Sequence, residues 1–195
     1  MSTPRLTALR RAGPGRVALE VDGVRWRVVS DDVVVRAGLV AGQNLDRATL
    51  RRVGRELRRA DALARAGRTL ARRDVSEASL RARLGRAGVA AATVEETTDV
   101  LRRTGTLDDE RFATRRAEAL AERGWGNAAV EARLETEGAP PEAISEAVAG
   151  LEPEWDRARR ASGKLPPRKA AALLARRGFD PDTIEAVVPG LDEGR

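Results

Sequence analysis

Apolar residues at the start of the chain recur at every second position. Val17, Leu19 and Val21 alternate with Arg16, Ala18 and Glu20, and past Asp22-Gly23 the residues Val24, Trp26 and Val28 alternate with Arg25 and Arg27. Two alternating runs joined by Asp-Gly predict a β-hairpin, because that dipeptide tolerates the positive φ angles of a type I′ turn. Leu6 to Arg11, ahead of Gly13-Pro14-Gly15, supplies a third strand, and a lone hairpin is marginal in water. From Asp31 the period changes. Asp31 or Asp32 can cap a short helix through Ala37, stopped by Gly38, and Gly42-Gln43-Asn44 forms a turn. Asp46 then opens a long helix with the apolar stripe Leu50, Val53, Leu57, Ala60 and Leu63. Its other side carries Arg51, Arg52, Arg55, Arg58 and Arg59. Such a face is ordinarily a solvated exterior; it also suits phosphates.

The rest of the chain repeats one pattern: apolar-x₃-Leu-x₃-Gly-apolar-x₄-Val/Ile-x₆-Leu. It reads Leu80, Leu84, Gly88, Val89, Val94, Leu101; then Val130, Leu134, Gly138, Ala139, Ile144, Leu151; then Ala170, Leu174, Gly178, Phe179, Ile184, Leu191. The first two positions share a helix face. The glycine falls where a helix ends in a left-handed residue, and the apolar residue after it folds back on that end. Ser76 is placed to cap the first such helix, and Pro140 or Pro141, and Pro181 after Asp180, suit helix N-termini. The last two positions mark the core stripe of a second helix. A further helix precedes each pair: Leu63 to Arg73, Arg111 to Arg123, and Trp155 to Ala161, with Phe112 and Trp155 as large core anchors.

The fold class expected is therefore mainly α: three tandem three-helix, helix-turn-helix-like repeats in an elongated array, with a small N-terminal β-hairpin and short-helix region. The segments are 1–45 for that region, 46–66 for a long basic connecting helix, and 62–105, 106–152 and 153–195 for repeats 1, 2 and 3.

Composition narrows the function. Of 195 residues, 34% are charged and 42% hydrophobic, and Cys, His and Tyr are all absent. That removes disulfides, thiolate nucleophiles and metal sites, and the commonest general base. A binding protein is expected rather than an enzyme, with no cofactor and no metal. The longest apolar run, Ala170 to Ala175, is far short of a membrane span. Met1-Ser2-Thr3-Pro4-Arg5 lacks the apolar core of a signal peptide, so a cytoplasmic location is expected. All cations except Lys164 and Lys169 are arginines, whose planar fork suits phosphate and carboxylate. The net charge of +6 divides as +6 over 1–61, +4 over 62–105, −6 over 106–152 and +2 over 153–195. Two kinds of surface suit a partner with two kinds of surface, such as protein-coated DNA; self-solvation of helix faces explains the charges equally well.

Gly105-Thr106-Leu107-Asp108-Asp109-Glu110-Arg111-Phe112-Ala113 resembles the most recognisable stretch of the RecX family, bacterial regulators of the RecA recombinase. Leu70-Ala71-Arg72-Arg73-Asp74-x-Ser76 with Leu80 and Leu84 resembles its first repeat, Gly124-Trp125-Gly126 before Val130 its second, and Leu174-Ala175-Arg176-Arg177-Gly178-Phe179 with Ile184 its last. Gly38-Leu39-x-x-Gly42-x-x-Leu45 is similar to an N-terminal extension some members carry. The chain departs from the family in lacking tyrosine near Leu70 and Arg115 and an aromatic around Ala171 or Ala172. The link Ser162 to Pro167 is also shorter than usual.

The resemblance implies a modulator, mainly an inhibitor, that binds RecA filaments on single-stranded DNA, lies along their groove and suppresses ATP hydrolysis, strand exchange and LexA cleavage. Recombination, DNA repair and the SOS response are then the processes it acts on. A monomer is expected, with bare single- or double-stranded DNA as further partners. Candidate contact residues are Arg72, Arg73, Arg81 and Arg83 in the first repeat and Arg168, Lys169, Arg176 and Arg177 in the third, and Trp125 is the candidate exposed aromatic. Arg72-Arg73 and Arg176-Arg177 close helices, where cations also complement the macrodipole. Asp108-Asp109-Glu110 reads as an N-terminal cap. The alternatives are a helix-turn-helix DNA-binding transcriptional regulator and a helical-repeat protein scaffold.

Overall fold

At the tip of the N-terminal hairpin Asp22 and Gly23 take φ values of 50° and 79°, the left-handed pair that a type I′ turn requires. A computed structural model describes residues 3–188. Strands β1 (Leu6–Arg11), β2 (Arg16–Val21) and β3 (Val24–Ser30) form one antiparallel sheet in chain order. The pairing of β2 with β3 slips after Leu19↔Arg27 to Glu20↔Arg25, leaving Trp26 opposite no residue. This bulge turns the outer half of β3 to solvent. Trp26, on the apolar side of the alternating run, is 44% exposed rather than buried, whereas Val29 is buried.

Ten helices follow among the described residues: α1 (Asp31–Arg36), α2 (Arg47–Leu70), α3 (Glu77–Arg86), α4 (Ala91–Arg103), α5 (Asp109–Glu122), α6 (Asn127–Thr136), α7 (Pro141–Ala149), α8 (Glu154–Ser162), α9 (Pro167–Arg176) and α10 (Pro181–Val187). The sequence divides the α2 region into a connecting helix and a separate first helix of repeat 1. The structure has one helix of 24 residues instead. No proline interrupts it, and neither Gly54 nor Gly67 adopts the positive φ that would end it.

The described residues divide into two compact units, one of 3–69 and 84–99, the other of 70–83 and 100–188. The division runs through α3 and α4 in the first expected repeat. In the first unit Leu6, Leu19, Val29, Val33, Leu39, Leu45 and Val53 form a core under the sheet and α1. In the second, Phe112, Leu120, Val130, Leu134 and Ile144 bind α5, α6 and α7 around one core, and Ala158, Ala170, Leu174, Phe179 and Ile184 bind α8, α9 and α10 around another.

The repeated pattern holds position by position. Leu80, Leu84, Val94 and Leu101, then Val130, Leu134, Ala139 and Ile144, then Ala170, Leu174, Phe179 and Ile184 are all buried. Leu151 is partly buried, and Leu191 lies outside the described residues. Gly88, Gly138 and Gly178 have φ of 78°, 81° and 74°. The N–H of the residue after each donates to the second pattern leucine: Val89 to Leu84 O at 3.1 Å, Ala139 to Leu134 O at 3.0 Å and Phe179 to Leu174 O at 3.2 Å. These are Schellman closures, and they set the angle at which each second helix leaves the first.

The third repeat departs from expectation at Trp155, which is 47% exposed, with the Arg159 guanidinium 5.5 Å from its ring centroid. Helix α8 turns Arg157, Ala158 and Ser162 inward instead. Phe112 anchors repeat 2 as expected.

Candidate functional site

The junctions between successive repeats in the second unit share one construction. Ser76, ahead of α3, donates through Oγ to the Glu137 carbonyl and accepts from Ser79 N at 3.2 Å. Ser79 Oγ donates to the same carbonyl at 2.8 Å. Fifty residues on, Gly126 N donates to the Arg177 carbonyl at 2.9 Å. Glu137 and Arg177 each stand just before the left-handed glycine of their repeat. A side chain at Gly126 would meet the Gly178 carbonyl oxygen at 2.2 Å, so helix α6 and the α9–α10 turn approach backbone to backbone.

Trp125 stands at this junction. Its N–H closes α5 on Leu120 O at 3.2 Å, and its carbonyl accepts from Arg157 Nη1 at 2.7 Å. Arg157 is 2% exposed and also donates to Glu152 O at 3.0 Å and to Asn127 Oδ1. Burial pushes its pKa below the ordinary arginine value, and three acceptors carry the buried charge. The backbone on both sides of Trp125 is thereby fixed, while the indole stays 39% exposed.

The indole overlooks a cavity of about 490 Å³ floored by Leu120, Ala129 and Ala132 and rimmed by Arg116, Arg123 and Arg133. A second cavity of about 370 Å³ shares Arg116 and Arg133 and adds Arg73, Arg83, Ser76 and Phe112. Together they make a trough with five arginines and one tryptophan against Asp74 and Glu137. Glu137 holds the middle: Arg116 reaches its carboxylate at 2.7 and 2.9 Å, and Arg133 Nε at 2.7 Å. Burial raises the Glu137 pKa, but hydrogen bonds and charge from Arg116 and Arg133 outweigh it and hold the carboxyl below its ordinary value. The same bonds hold Arg116 above its own. Arg83 Nε is buried without a hydrogen-bond partner. A buried unpaired donor costs about 1–3 kcal/mol.

Five other carboxylates of the middle repeat gather elsewhere. Asp108, Asp109, Glu110, Glu142 and Glu146 line a cavity of about 500 Å³ with Glu77 of the first repeat and Arg102, which is 3.5 Å from Glu77. Asp108 caps α5 by accepting Arg111 N at 2.9 Å, the capping role its sequence position predicts.

Of the sequence candidates, the structure brings Arg73, Arg83 and Trp125 into the trough. Arg72 is exposed in the turn after α2. Arg81 pairs with Glu77 at 2.8 Å on its own helix. Arg168 and Lys169 lie exposed in the first turn of α9, where the dipole disfavours cations, and Arg176 is exposed at its other end, about 12 Å along the axis. Arg177 is half-buried, its Nη1 3.5 Å from Gly124 O, and so belongs to the junction. Arg116, Arg123, Arg133 and Arg157 are not among the sequence candidates. The seven-residue spacing of Arg116 on α5 and Arg123 at its C-cap is a signal for the trough; nothing local marks Arg157 as buried.

No family model matches the chain. Two bacterial proteins named Regulatory protein RecX are similar to it. The one from Xanthomonas axonopodis pv. citri (strain 306) is 36% identical over 144 residues, covering 68% of this chain and 89% of that protein. The one from Stenotrophomonas maltophilia (strain R551-3) is 37% identical over 126 residues, covering 59% and 77%. Two crystal structures share the fold. One, of regulatory protein RecX, has a TM-score of 0.81 at 19% identity and covers 94% of this chain and 98% of its own. The other, of RecX from Lactobacillus salivarius, has a TM-score of 0.64 at 14% identity and covers 70% and 97%. With over a third of aligned positions identical across most of a relative's length, this chain belongs to the RecX family of regulatory proteins.

Proposed function

We propose that this protein regulates RecA, chiefly as an inhibitor, by binding the RecA filament on single-stranded DNA and suppressing ATP hydrolysis, strand exchange and LexA cleavage. The observation that carries this reading is the trough of Arg73, Arg83, Arg116, Arg123 and Arg133 beside Trp125. Fixed cations with an aromatic platform suit a nucleic-acid strand, while the separate carboxylate-lined cavity suits basic side chains of a protein. A surface of both kinds fits a nucleoprotein better than bare DNA alone. Repeats in series add weak contacts by avidity. Arg72, Arg81, Arg168, Lys169 and Arg176 serve as further contacts around this centre.

The test is RecA ATPase on single-stranded DNA with the chain added well below one-to-one. Inhibition is expected at substoichiometric amounts. Unchanged ATPase at equimolar chain overturns the reading. Nuclease-insensitive, salt-insensitive complexes with other proteins would favour the scaffold alternative, and duplex binding with a defined half-site spacing the transcriptional one.

A further inference from the structure

Helix α2 carries a second cationic surface, on the first unit, that neither the trough nor the fold accounts for. Arg47, Arg51, Arg55 and Arg58 follow one another at spacings of four, four and three, so they form one stripe along the helix. All four are exposed. Among the described residues none of them makes an ion pair or a side-chain hydrogen bond. Two other arginines of the helix have acidic partners. Arg59 lies 3.8 Å from Glu56, which also takes Arg36 at 3.2 Å, and Arg65 pairs with Asp61 at 2.9 Å. The stripe of uncompensated charge ends where Asp61 begins.

The folded chain gains nothing from this arrangement. Like charges four apart repel, and although Asp46 caps α2 by accepting Thr49 N at 2.7 Å, Arg47 stands in the first turn, where the macrodipole disfavours a cation. Gly54 is a further destabilising feature, being a glycine inside a helix without positive φ. It lies on the same stripe, between the arginines. The nearest atom to a Cβ built there is Arg58 Nη1 at 3.4 Å. Without that side chain the stripe dips to form a shallow groove of about 480 Å³, lined by the four arginines, Leu50 and Gly54.

We infer that this groove cradles the phosphodiester backbone of a nucleic-acid strand. Guanidinium forks match phosphate oxygens. The rise of about 6 Å from Arg47 to Arg51 to Arg55 is of the order of the step between successive phosphates of an extended strand. Leu50 is the one apolar lining residue, so the groove lacks the aromatic or aliphatic centre of a protein interface. Beyond arginines, which serve phosphate as well as guanine, it has no Asn, Gln, Ser, Thr or carboxylate to read base edges, so contact to the backbone irrespective of sequence is the expected mode. This inference does not rest on the RecA reading.

The test is fluorescence anisotropy of the full chain with a labelled oligothymidine strand and a labelled duplex, each titrated with salt. Arg51→Gln/Arg55→Gln should keep its circular dichroism, bind at least tenfold more weakly and lower the salt slope by about two, one for each phosphate left without its arginine. Gly54→Leu should fill the dip and weaken binding while keeping every charge. Weaker binding to the strand alone, or to the duplex alone, supports the groove and names its source. Unchanged affinity and slope for the double variant on both overturns it. Displacement by polyglutamate as effective as by unlabelled DNA also overturns it, in favour of an acidic protein. RecA ATPase read in parallel separates the two proposals: bare-strand binding that Arg51→Gln/Arg55→Gln weakens, without inhibition of RecA by the parent chain, supports the groove and overturns the RecA reading.

Discussion

The backbone N–H of Glu77 donates to Asp109 Oδ1 at 2.8 Å, so a carboxylate of the second repeat caps the helix that leads the first. Asn127 N and Glu154 Oε1 make the same bond at 2.6 Å one junction later. In both, a carboxylate meets one of the orphan donors at a helix N-terminus. Burial raises the Asp109 pKa in spite of that bond. Asp109 thus holds two repeats in register while keeping a half-buried charge.

Its titration predicts a sign. An acid whose folded pKa is raised contributes stability below its unfolded value, near 3.8, and loses it as pH rises through the folded value. Asp109→Asn keeps an acceptor for Glu77 N without the charge. Urea unfolding should show the variant gaining on the parent as pH rises from about 4 to 7, and Asp109→Ala losing about 1 kcal/mol at neutral pH. Equal pH dependence of variant and parent would refute this account.

Glu137 predicts the opposite limb. Its folded pKa lies below the ordinary 4.5, so its contribution is present above that value and lost as pH falls through the folded one. Glu137→Gln should be less stable than the parent at pH 7 and converge with it in acid. It should also loosen Arg116 and Arg133 and weaken filament binding, read by anisotropy on RecA-coated strands.

Gly126→Ala tests the backbone approach at the second junction. Its Cβ would lie 2.2 Å from the Gly178 oxygen, with no flexible side chain able to yield. A loss of about 3 kcal/mol in urea unfolding is expected. Gly67→Ala, in open space on α2, should gain about 0.5–1 kcal/mol. Comparable effects of the two would dismiss the close approach.

Arg157 serves structure. Arg157→Ala should cost about 3 kcal/mol, because Trp125 O, Glu152 O and Asn127 lose a buried donor. Arg83→Ala/Arg123→Ala/Trp125→Ala, by contrast, should keep the fold by circular dichroism and raise the concentration needed to inhibit RecA ATPase at least tenfold. Arg72→Ala/Arg73→Ala/Arg176→Ala should have a smaller effect, since of these three Arg73 alone lines the trough.

The sequence alone determined what depends on neighbours along the chain. Asp22-Gly23 dictates a turn, and the spacing Leu134, Gly138, Ala139 dictates a helix, its left-handed stop and the fold-back onto its end, because these are interactions within a few residues. The three-fold repeat was legible for the same reason. Tertiary structure decided the rest. Whether Trp155 or Arg157 faces inward depends on what α8 packs against, and Trp26 turns outward because of a bulge set by pairing across two strands. Arg73, Arg83, Arg116 and Arg123 become one surface because junction bonds link residues dozens of positions apart, such as Ser79 to Glu137. Charge along a sequence says how many cations there are; only packing fixes which share a face and which find a carboxylate.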